Sequence, residues 1–211
     1  MIVRPRDGML IVTPGEGETL ADWLDAHAGQ VFRLQAIKGG SALLQAIGPE
    51  AEACRIPINI TSQAPEPLRL VSNFAHTSFV LDDKSYESIE GFWQGLKFPD
   101  QADRRRLALL HGSEARDAGY HAPESDTLMF DGENVRVGTY AHWRLMEKAC
   151  RAKFAQHAAA REALLSTRNR PLVHQVKRDS KNIPGVIMAA IWMRVRERLL
   201  RTAPEANASG P

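Results

Sequence analysis

The segment VIMAAIWM, residues 186–193, constrains the fold most, because it would be apolar in every direction around a helix. Pro184 comes just before it and is tolerated in the first turn of a helix, so the pattern predicts a helix over 184–201. A helix without a polar face lies in the middle of its domain. We therefore expect other elements to pack around it.

A polar segment with two prolines, TSQAPEP (61–67), separates two different patterns along the chain. Before it, LADWLDAHA (20–28) predicts a helix with Thr19 as its N-cap. Four short apolar segments in the same region predict strands: 9–12, 31–37, 42–47 and 56–60. Residues 1–66 are therefore predicted to form a strand-rich N-terminal extension, to which the sequence assigns no role.

After this boundary the pattern becomes mostly helical and predicts an α+β domain with a small β-hairpin. Residues 79–86 predict the hairpin, with Asp82 and Asp83 at its turn. Periodic apolar residues predict helices at about 87–98, 101–111, 141–165 and 184–201. We expect the domain to cover residues 67–201, and the small, polar residues 202–211 to form a disordered tail.

The composition excludes several classes of protein. The 211 residues are 44% hydrophobic with a formal net charge of +2, so the chain can bury a core and does not require a nucleic-acid partner. We expect no export signal and no membrane partner, since no apolar stretch is long enough to cross a bilayer. The two cysteines, Cys54 and Cys150, fit a reducing, cytoplasmic setting. The histidines lack metal-ligand spacing and no glycine-rich phosphate loop is present, so we expect neither metal nor cofactor.

The segment SIEGFWQGLKF (88–98) predicts a short helix with a polar line along one side. At about 100° per residue, Glu90, Gln94 and Lys97 lie within about 60° of one another. Two glycines lie on the back of this helix, where each costs about 1 kcal/mol relative to alanine, and predict the close approach of another backbone or of a ligand. The polar line is either solvent-exposed or part of a pocket wall, where burial would raise the pKa of Glu90.

Six short motifs follow one another over about residues 68–200. They are SNF (72–74), VLDDKSY (80–86), SIEGFWQGLKF (88–98), EARDAG (114–119), the stretch beginning HWRLMEKACRAKFAQ (142–179) and KNIPGVIMAAIWMRVRERL (181–199). In this order they resemble the motifs of the NADAR family. That family cleaves N-glycosidic bonds to a ribose carbon, in phosphoribosyl-aminopyrimidine intermediates of riboflavin synthesis or between ADP-ribose and guanine. The resemblance implies a metal-free N-glycosidase with a NADAR-like fold.

The resemblance implies three catalytic residues. Glu90 matches the family's glutamate and would protonate the departing base, activate water or stabilise the cationic sugar. Asp179 matches a later acidic residue and would place water or stabilise an oxocarbenium ion. Lys97 would bind a phosphate or attack the sugar to form a Schiff base. The alternatives are a solvated carboxylate for Glu90, a loop residue or helix cap for Asp179, and a helix-end lysine favoured by the helix dipole for Lys97.

The resemblance also implies four substrate-binding residues. Trp143 would stack on a base, and its alternative is a place in an apolar core stripe. Asn73 and Gln94 would hydrogen-bond ribose hydroxyls or a base edge, although Asn73 also fits a turn. Arg116 would bind phosphate or, alternatively, lie solvated on the surface.

Three departures from the family pattern leave the substrate open. Gly91 replaces a histidine, which would remove a proton partner and widen the pocket; His174 replaces a glutamate; and RDSKNIPG (178–185) replaces a glycine-rich loop. The first hypothesis is a hydrolase of ADP-ribosyl bases, acting on a small nucleotide or on an ADP-ribosylated nucleobase, free or within nucleic acid. The alternatives are a riboflavin-pathway N-glycosidase, a catalytically altered NAD- or ADP-ribose-binding module, and a structural protein. The sequence leaves the oligomeric state open.

Overall fold

The computed structural model describes residues 1–6, 9–26, 31–47 and 56–202, so residues 203–211 of the predicted tail and Cys54 lie outside the described residues, while Thr202 belongs to the last helix. The chain forms two compact units that divide between Ile56 and Pro57. This division comes before the predicted boundary between residues 66 and 67, because residues 57–66 pack with the second unit. Ile58 and Ile60 are buried in the core of that unit.

The first unit is an antiparallel sheet with one helix. Its elements are β1 (Ile2–Arg6), β2 (Met9–Thr13), α1 (Leu20–Ala26), β3 (Val31–Lys38) and β4 (Ser41–Ile47), with strand order β1-β2-β4-β3. The Thr19 hydroxyl accepts the backbone N–H of Asp22 at 3.2 Å, which confirms the predicted N-cap of α1. A small core of Val12, Trp23, Ala42 and Leu44 lies between the helix and the sheet. The strand-rich pattern is confirmed, and β1 is an additional strand that the sequence did not predict.

The second unit is mostly helical and contains three two-stranded pairs. Its helices are α2 (Ile89–Gly95), α3 (Gln101–Ala108), α4 (Gly112–Ala118), α5 (Tyr140–Gln156), α6 (Ala158–Ser166) and α7 (Gly185–Thr202). Its strands are β5 (Ile58–Asn59), β6 (Phe79–Leu81), β7 (Lys84–Tyr86), β8 (Thr127–Phe130), β9 (Glu133–Arg136) and β10 (Leu172–Val173). β5 and β10 pair in parallel, whereas β6–β7 and β8–β9 are antiparallel hairpins. The predicted mixed, mostly helical fold is confirmed.

The long helix predicted over 141–165 is wrong in one respect, since it is broken at His157. This residue has an extended backbone, and its Nδ1 accepts the backbone N–H of Ala160 at 3.2 Å. A side chain that caps a new helix start satisfies a donor that would otherwise have no partner. α5 therefore ends at Gln156 and α6 begins at Ala158.

The core of the second unit gathers around one face of α7. Met188, Ile191, Trp192 and Val195 are buried there, together with side chains from α2 and α5. Val186, however, is 73% exposed, because it lies roughly 160° around the helix from Met188. The prediction of burial on all sides is therefore wrong for the first turn of α7. None of the helices in the described ranges is long and apolar enough to cross a membrane.

Candidate active site

The start of α2 is fixed against the end of α3 by a serine and a glycine. Ser88 caps α2, since its hydroxyl accepts the Gly91 N–H at 2.9 Å and donates to the Leu110 carbonyl at 2.8 Å. A Cβ on Gly91 would lie only 2.5 Å from the Leu107 carbonyl oxygen and 2.6 Å from that of Leu110. The predicted close backbone approach is thus confirmed at Gly91. The missing side chain accommodates the end of α3, so the expectation that it widens a pocket is wrong.

Glu90 lies two residues after the Ser88 cap and is only 7% exposed. Its backbone N–H donates to the Asn73 carbonyl at 3.0 Å, and its Oε1 accepts from Gln94 Nε2 at 2.7 Å. Burial raises the pKa of the Glu90 carboxyl, while the Gln94 hydrogen bond and the charges of Lys97 and Arg116 oppose that rise. The solvated interpretation of Glu90 is therefore wrong, and the carboxyl sits where its proton is retained to higher pH.

Gln94 connects Glu90 to the segment after α4. Its amide nitrogen is bonded to Glu90, but its Oε1 is buried and has no hydrogen-bond partner among the described residues. A Cβ on Gly119 would lie 2.0 Å from that oxygen. The glycine at the end of the EARDAG motif therefore leaves space for the Gln94 amide, which in turn holds one oxygen of Glu90.

A groove of about 980 Å³ opens beside the polar side of α2. It is lined by the following residues: Trp93, Lys97, Gly119, Tyr120, Ala122, Pro123, Glu124, Ser125, Asp126, Thr127, Leu128, Arg136, Val137, His142 and Asn182. Lys97 is half-buried in this wall, and burial lowers its pKa while the charge of Glu90 opposes the shift. The groove therefore combines an amine of lowered pKa with aromatic rings and both signs of charge, which suits a polar, ring-containing ligand.

Two rings in the wall were missed by sequence reasoning. Trp93 and His142 stack with their centroids 4.2 Å apart and their planes 20° from parallel. Trp93 lies three residues after Glu90 and four before Lys97, a spacing that places it on their side of a helix. That spacing was the available signal. His142 carried none, because its place depends on how α5 packs against α2.

His142 is buried and held by one backbone hydrogen bond. Its Nδ1 accepts the Gly138 N–H at 3.1 Å, and the residue is 4% exposed. Burial, with the charge of Lys97 as the second cause, lowers the pKa of His142 to about 4. The ring is therefore neutral at physiological pH.

Asn73 and Arg116 lie near Glu90 in different ways. The Asn73 backbone accepts from Glu90, while its Nδ2 lies 3.2 Å from the Met188 sulfur and its Oδ1 is buried without a partner in the described part of the chain. Arg116 is half-exposed, binds Asp117 through Nε at 2.8 Å and lies over the Phe74 ring. The substrate-binding roles of both side chains stay predictions.

Trp143 and Asp179 hold the segment that precedes α7. The Trp143 indole N–H donates to the Asn182 carbonyl at 2.8 Å, and the ring packs half-buried against the core. Asp179 is exposed, and its Oδ1 accepts the N–H groups of Ser180 at 2.8 Å and Gly185 at 2.9 Å, as a helix cap would. Base stacking by Trp143 and catalysis by Asp179 stay predictions.

His174 contacts Ile60 and Trp192 through its side chain and the start of α7 through its backbone. Its Nδ1 lies 2.6 Å from the Ile60 carbonyl oxygen, and its ring meets Trp192 edge to face at 5.4 Å. A Cβ on Gly185 would lie 2.1 Å from the His174 carbonyl oxygen, so the backbone after β10 packs directly on the start of α7.

Relatives of the chain are found by sequence and by structure. Residues 67–194 match the family model described as bacteriophage protein GP30.3. The chain is 32% identical to N-glycosidase YbiA of Escherichia coli (strain K12) over 109 residues. These residues cover 52% of this chain and 64% of YbiA, so the match spans slightly less than two thirds of YbiA. It is 30% identical over 122 residues, 56% of this chain and 80% of the relative, to an uncharacterized 17.1 kDa protein in the Gp30-rIII intergenic region of enterobacteria phage T4.

The structural match covers more of the chain. The NMR structure of E. coli YbiA superposes with a TM-score of 0.56 at 25% sequence identity, over 75% of this chain and 95% of YbiA. The fold of the matched part of the chain is therefore similar to that of YbiA.

Proposed function

Because the chain belongs to the bacteriophage protein GP30.3 family, a NADAR-like family that places it among relatives of the N-glycosidases, we propose that it hydrolyses the bond between an ADP-ribosyl group and a heterocyclic base. The observation that carries the proposal is Glu90, a buried carboxyl with a raised pKa beside a groove large enough for a nucleotide. A carboxyl with a raised pKa can carry the proton that a departing base needs at a pH where an ordinary carboxyl has lost it.

The proposed step uses the proton of Glu90. As the bond from the sugar's anomeric carbon to the base nitrogen breaks, its electron pair stays with the base, which takes the Glu90 proton. Water adds to the anomeric carbon and returns one proton to Glu90, so atoms and charge balance. Gln94 holds Oε1 through an N–H donor, so the proton of the neutral acid belongs on Oε2.

Lys97 supports the same site in one of two ways. As an ammonium ion it would bind a phosphate of the ADP-ribosyl group. As a free amine, whose fraction rises because burial lowers its pKa, it would attack the anomeric carbon while the bond to the base breaks and the base takes the Glu90 proton. The resulting glycosylamine would open its sugar ring to a Schiff base, and water would then release the sugar and restore the amine.

Product analysis by mass spectrometry tests the proposal. The pure protein is incubated with ADP-ribosylated guanosine, an ADP-ribosylated guanine oligonucleotide or a ribosylaminopyrimidine phosphate. We expect free base from an ADP-ribosyl substrate, and a rate about 10²–10⁴-fold lower for Glu90→Gln. Glu114→Gln, which alters an exposed glutamate on α4, is the matched control and should keep the full rate. Release of base only from the ribosylaminopyrimidine, or an unchanged rate in folded Glu90→Gln, would contradict the proposal.

A further inference from the structure

We propose that His142 is a specificity-determining residue, whose Nε2–H is a fixed hydrogen-bond donor in the groove wall that recognises a carbonyl oxygen on the base of the substrate. This inference rests on the proposed function in that it takes the groove to be the place where the base binds.

The position of the proton follows from a backbone group. The Gly138 N–H can only donate, and it lies 3.1 Å from His142 Nδ1, so this nitrogen must be the acceptor. A neutral imidazole carries one ring proton, which is therefore on Nε2. Gly138 has φ 76°, a left-handed conformation that glycine adopts readily, so the turn that aims its N–H is itself well defined.

The orientation of the His142 ring is fixed, as is the position of its proton. It lies in the first turn of α5 and stacks on Trp93 of α2 at 4.2 Å, so two helices fix its plane. His142 and Trp93 both line the groove. Among the described residues no acceptor bonds to Nε2, and His142 lines the groove, so this donor is available to a ligand there.

The charge state supports recognition rather than proton transfer. Burial and the nearby Lys97 lower the pKa of His142 to about 4, so the ring stays neutral throughout the physiological range. A neutral N–H donor favours a carbonyl oxygen and disfavours an amino group or a hydrogen at the same position. A base lacking that oxygen leaves the donor unsatisfied in the complex, which weakens binding.

Equilibrium binding of two nucleosides tests this role without depending on catalysis. Guanosine carries a ring carbonyl with its adjacent ring N–H, and 2-aminopurine riboside lacks both. Calorimetry should show that the wild-type protein prefers guanosine by about 10-fold or more. In His142→Phe, which keeps a ring to stack on Trp93 but removes the donor, the preference should fall to within about 3-fold through weaker guanosine binding.

Two further variants keep the test decisive. Tyr140→Phe, which alters a residue 67% exposed on the same helix, should keep the wild-type preference. His142→Gln, which offers an amide N–H in place of the imidazole donor, should restore part of it, and serves if the Phe variant does not fold. Equal binding of both nucleosides by the wild type, or an undiminished preference in folded His142→Phe, would overturn the proposal. A protein that shows the preference but releases no base would refute the proposed hydrolysis and leave the role of His142 intact.

Discussion

Gln94 donates to one oxygen of Glu90 at 2.7 Å while its own carbonyl oxygen stays buried without a partner in the described part of the chain. A buried acceptor left unsatisfied costs about 1–3 kcal/mol. The amide is nevertheless kept in this orientation, because Glu90 needs the donor group and the missing side chain of Gly119 leaves the space that the oxygen takes. The pair therefore fixes which carboxylate oxygen of Glu90 is available to carry a proton.

Replacing Gln94 by leucine should move the pH–rate profile upward. The Gln94 hydrogen bond lowers the pKa of Glu90, so its loss leaves burial less opposed and raises that pKa further. The limb of the profile that reports Glu90 should shift to higher pH, whether Glu90 acts as acid or base. Initial rates measured across pH with wild type and Gln94→Leu check this. If the rate falls but the limb stays at the same pH, then Gln94 does not affect the pKa of Glu90.

The stability of Glu90→Gln relative to wild type should increase as pH rises. The folded-state pKa of Glu90 lies above its ordinary value of 4.5, so its contribution to stability is fully present below that value and is lost as pH rises through the folded pKa. Glutamine does not ionise and keeps its contribution. Denaturant titrations at several pH values should show the variant gaining on wild type from acidic to neutral pH. A difference that does not change with pH would contradict a buried, titrating Glu90.

The two glycines of α2 should respond in opposite ways to alanine. Gly91→Ala puts a Cβ against two backbone carbonyls at 2.5 and 2.6 Å and should destabilise by at least about 1–3 kcal/mol. Gly95→Ala meets its nearest atom at 3.6 Å and should be neutral or stabilise by up to about 1 kcal/mol, because alanine favours helix. Thermal unfolding of both variants measures the contrast. Equal effects would mean that the approach of α3 to Gly91 is not as close as described.

The elements that sequence predicted well are those with local signals. Apolar periodicity predicted α2, α3 and α7, and Asp82 and Asp83 adopt the positive φ values of 50° and 59° that a tight hairpin turn requires. The hairpin β8–β9 was missed although Asp131 and Gly132, with φ 51° and 79°, carry the same kind of signal. An Asp-Gly pair between two short apolar segments predicts a hairpin turn from the sequence alone.

The candidate site was predictable only in part, for physical reasons. Glu90 and Gln94 share one side of α2, and Lys97 lies in the turn directly after it, where its backbone N–H donates to the Gln94 carbonyl at 3.2 Å, so local geometry alone brings them together. The groove also needs the segment around Gly119 and the first turn of α5, which come from distant parts of the chain. No local sequence pattern predicts that the Gly138 N–H donates to His142 or that His142 stacks on Trp93.

Lys153 should give the protein a stability that rises at alkaline pH. It is fully buried, and its Nζ donates to the carbonyls of Ser72 at 2.8 Å and Val71 at 3.4 Å, two acceptors that suit the two protons of a neutral amine. Burial lowers the pKa of Lys153 to about 7, from an ordinary value of 10.5. At this residue the unfolded chain therefore binds more protons between these values, and the contribution of Lys153 to stability should rise from about pH 7 towards pH 10.5. Above about pH 9 the buried Cys150 thiol, whose pKa is raised to about 12, contributes in the opposite direction in both proteins compared below.

Lys153→Met provides the comparison for this rise. The variant lacks the titrating amine, so its free energy of unfolding should show less increase over the same pH range. Lys148→Met, which alters an exposed lysine paired with Asp82, is the control and should follow wild type apart from a small constant offset. Parallel pH dependence in wild type and Lys153→Met would show that Lys153 keeps its charge when buried.

Reductive trapping should decide between the two roles of Lys97. If the amine attacks the anomeric carbon, the Schiff base formed during turnover is reduced by cyanoborohydride to a stable amine, and intact-protein mass rises by the reduced sugar adduct. Peptide mapping should then place the adduct on Lys97, and Lys97→Met should show none, while Lys148→Met is labelled as wild type is. If Lys97 binds phosphate instead, no adduct should form in wild type under turnover. Lys97→Met should then chiefly raise KM. A charge that holds the substrate equally well in the ground state and the transition state affects binding and not the chemical step.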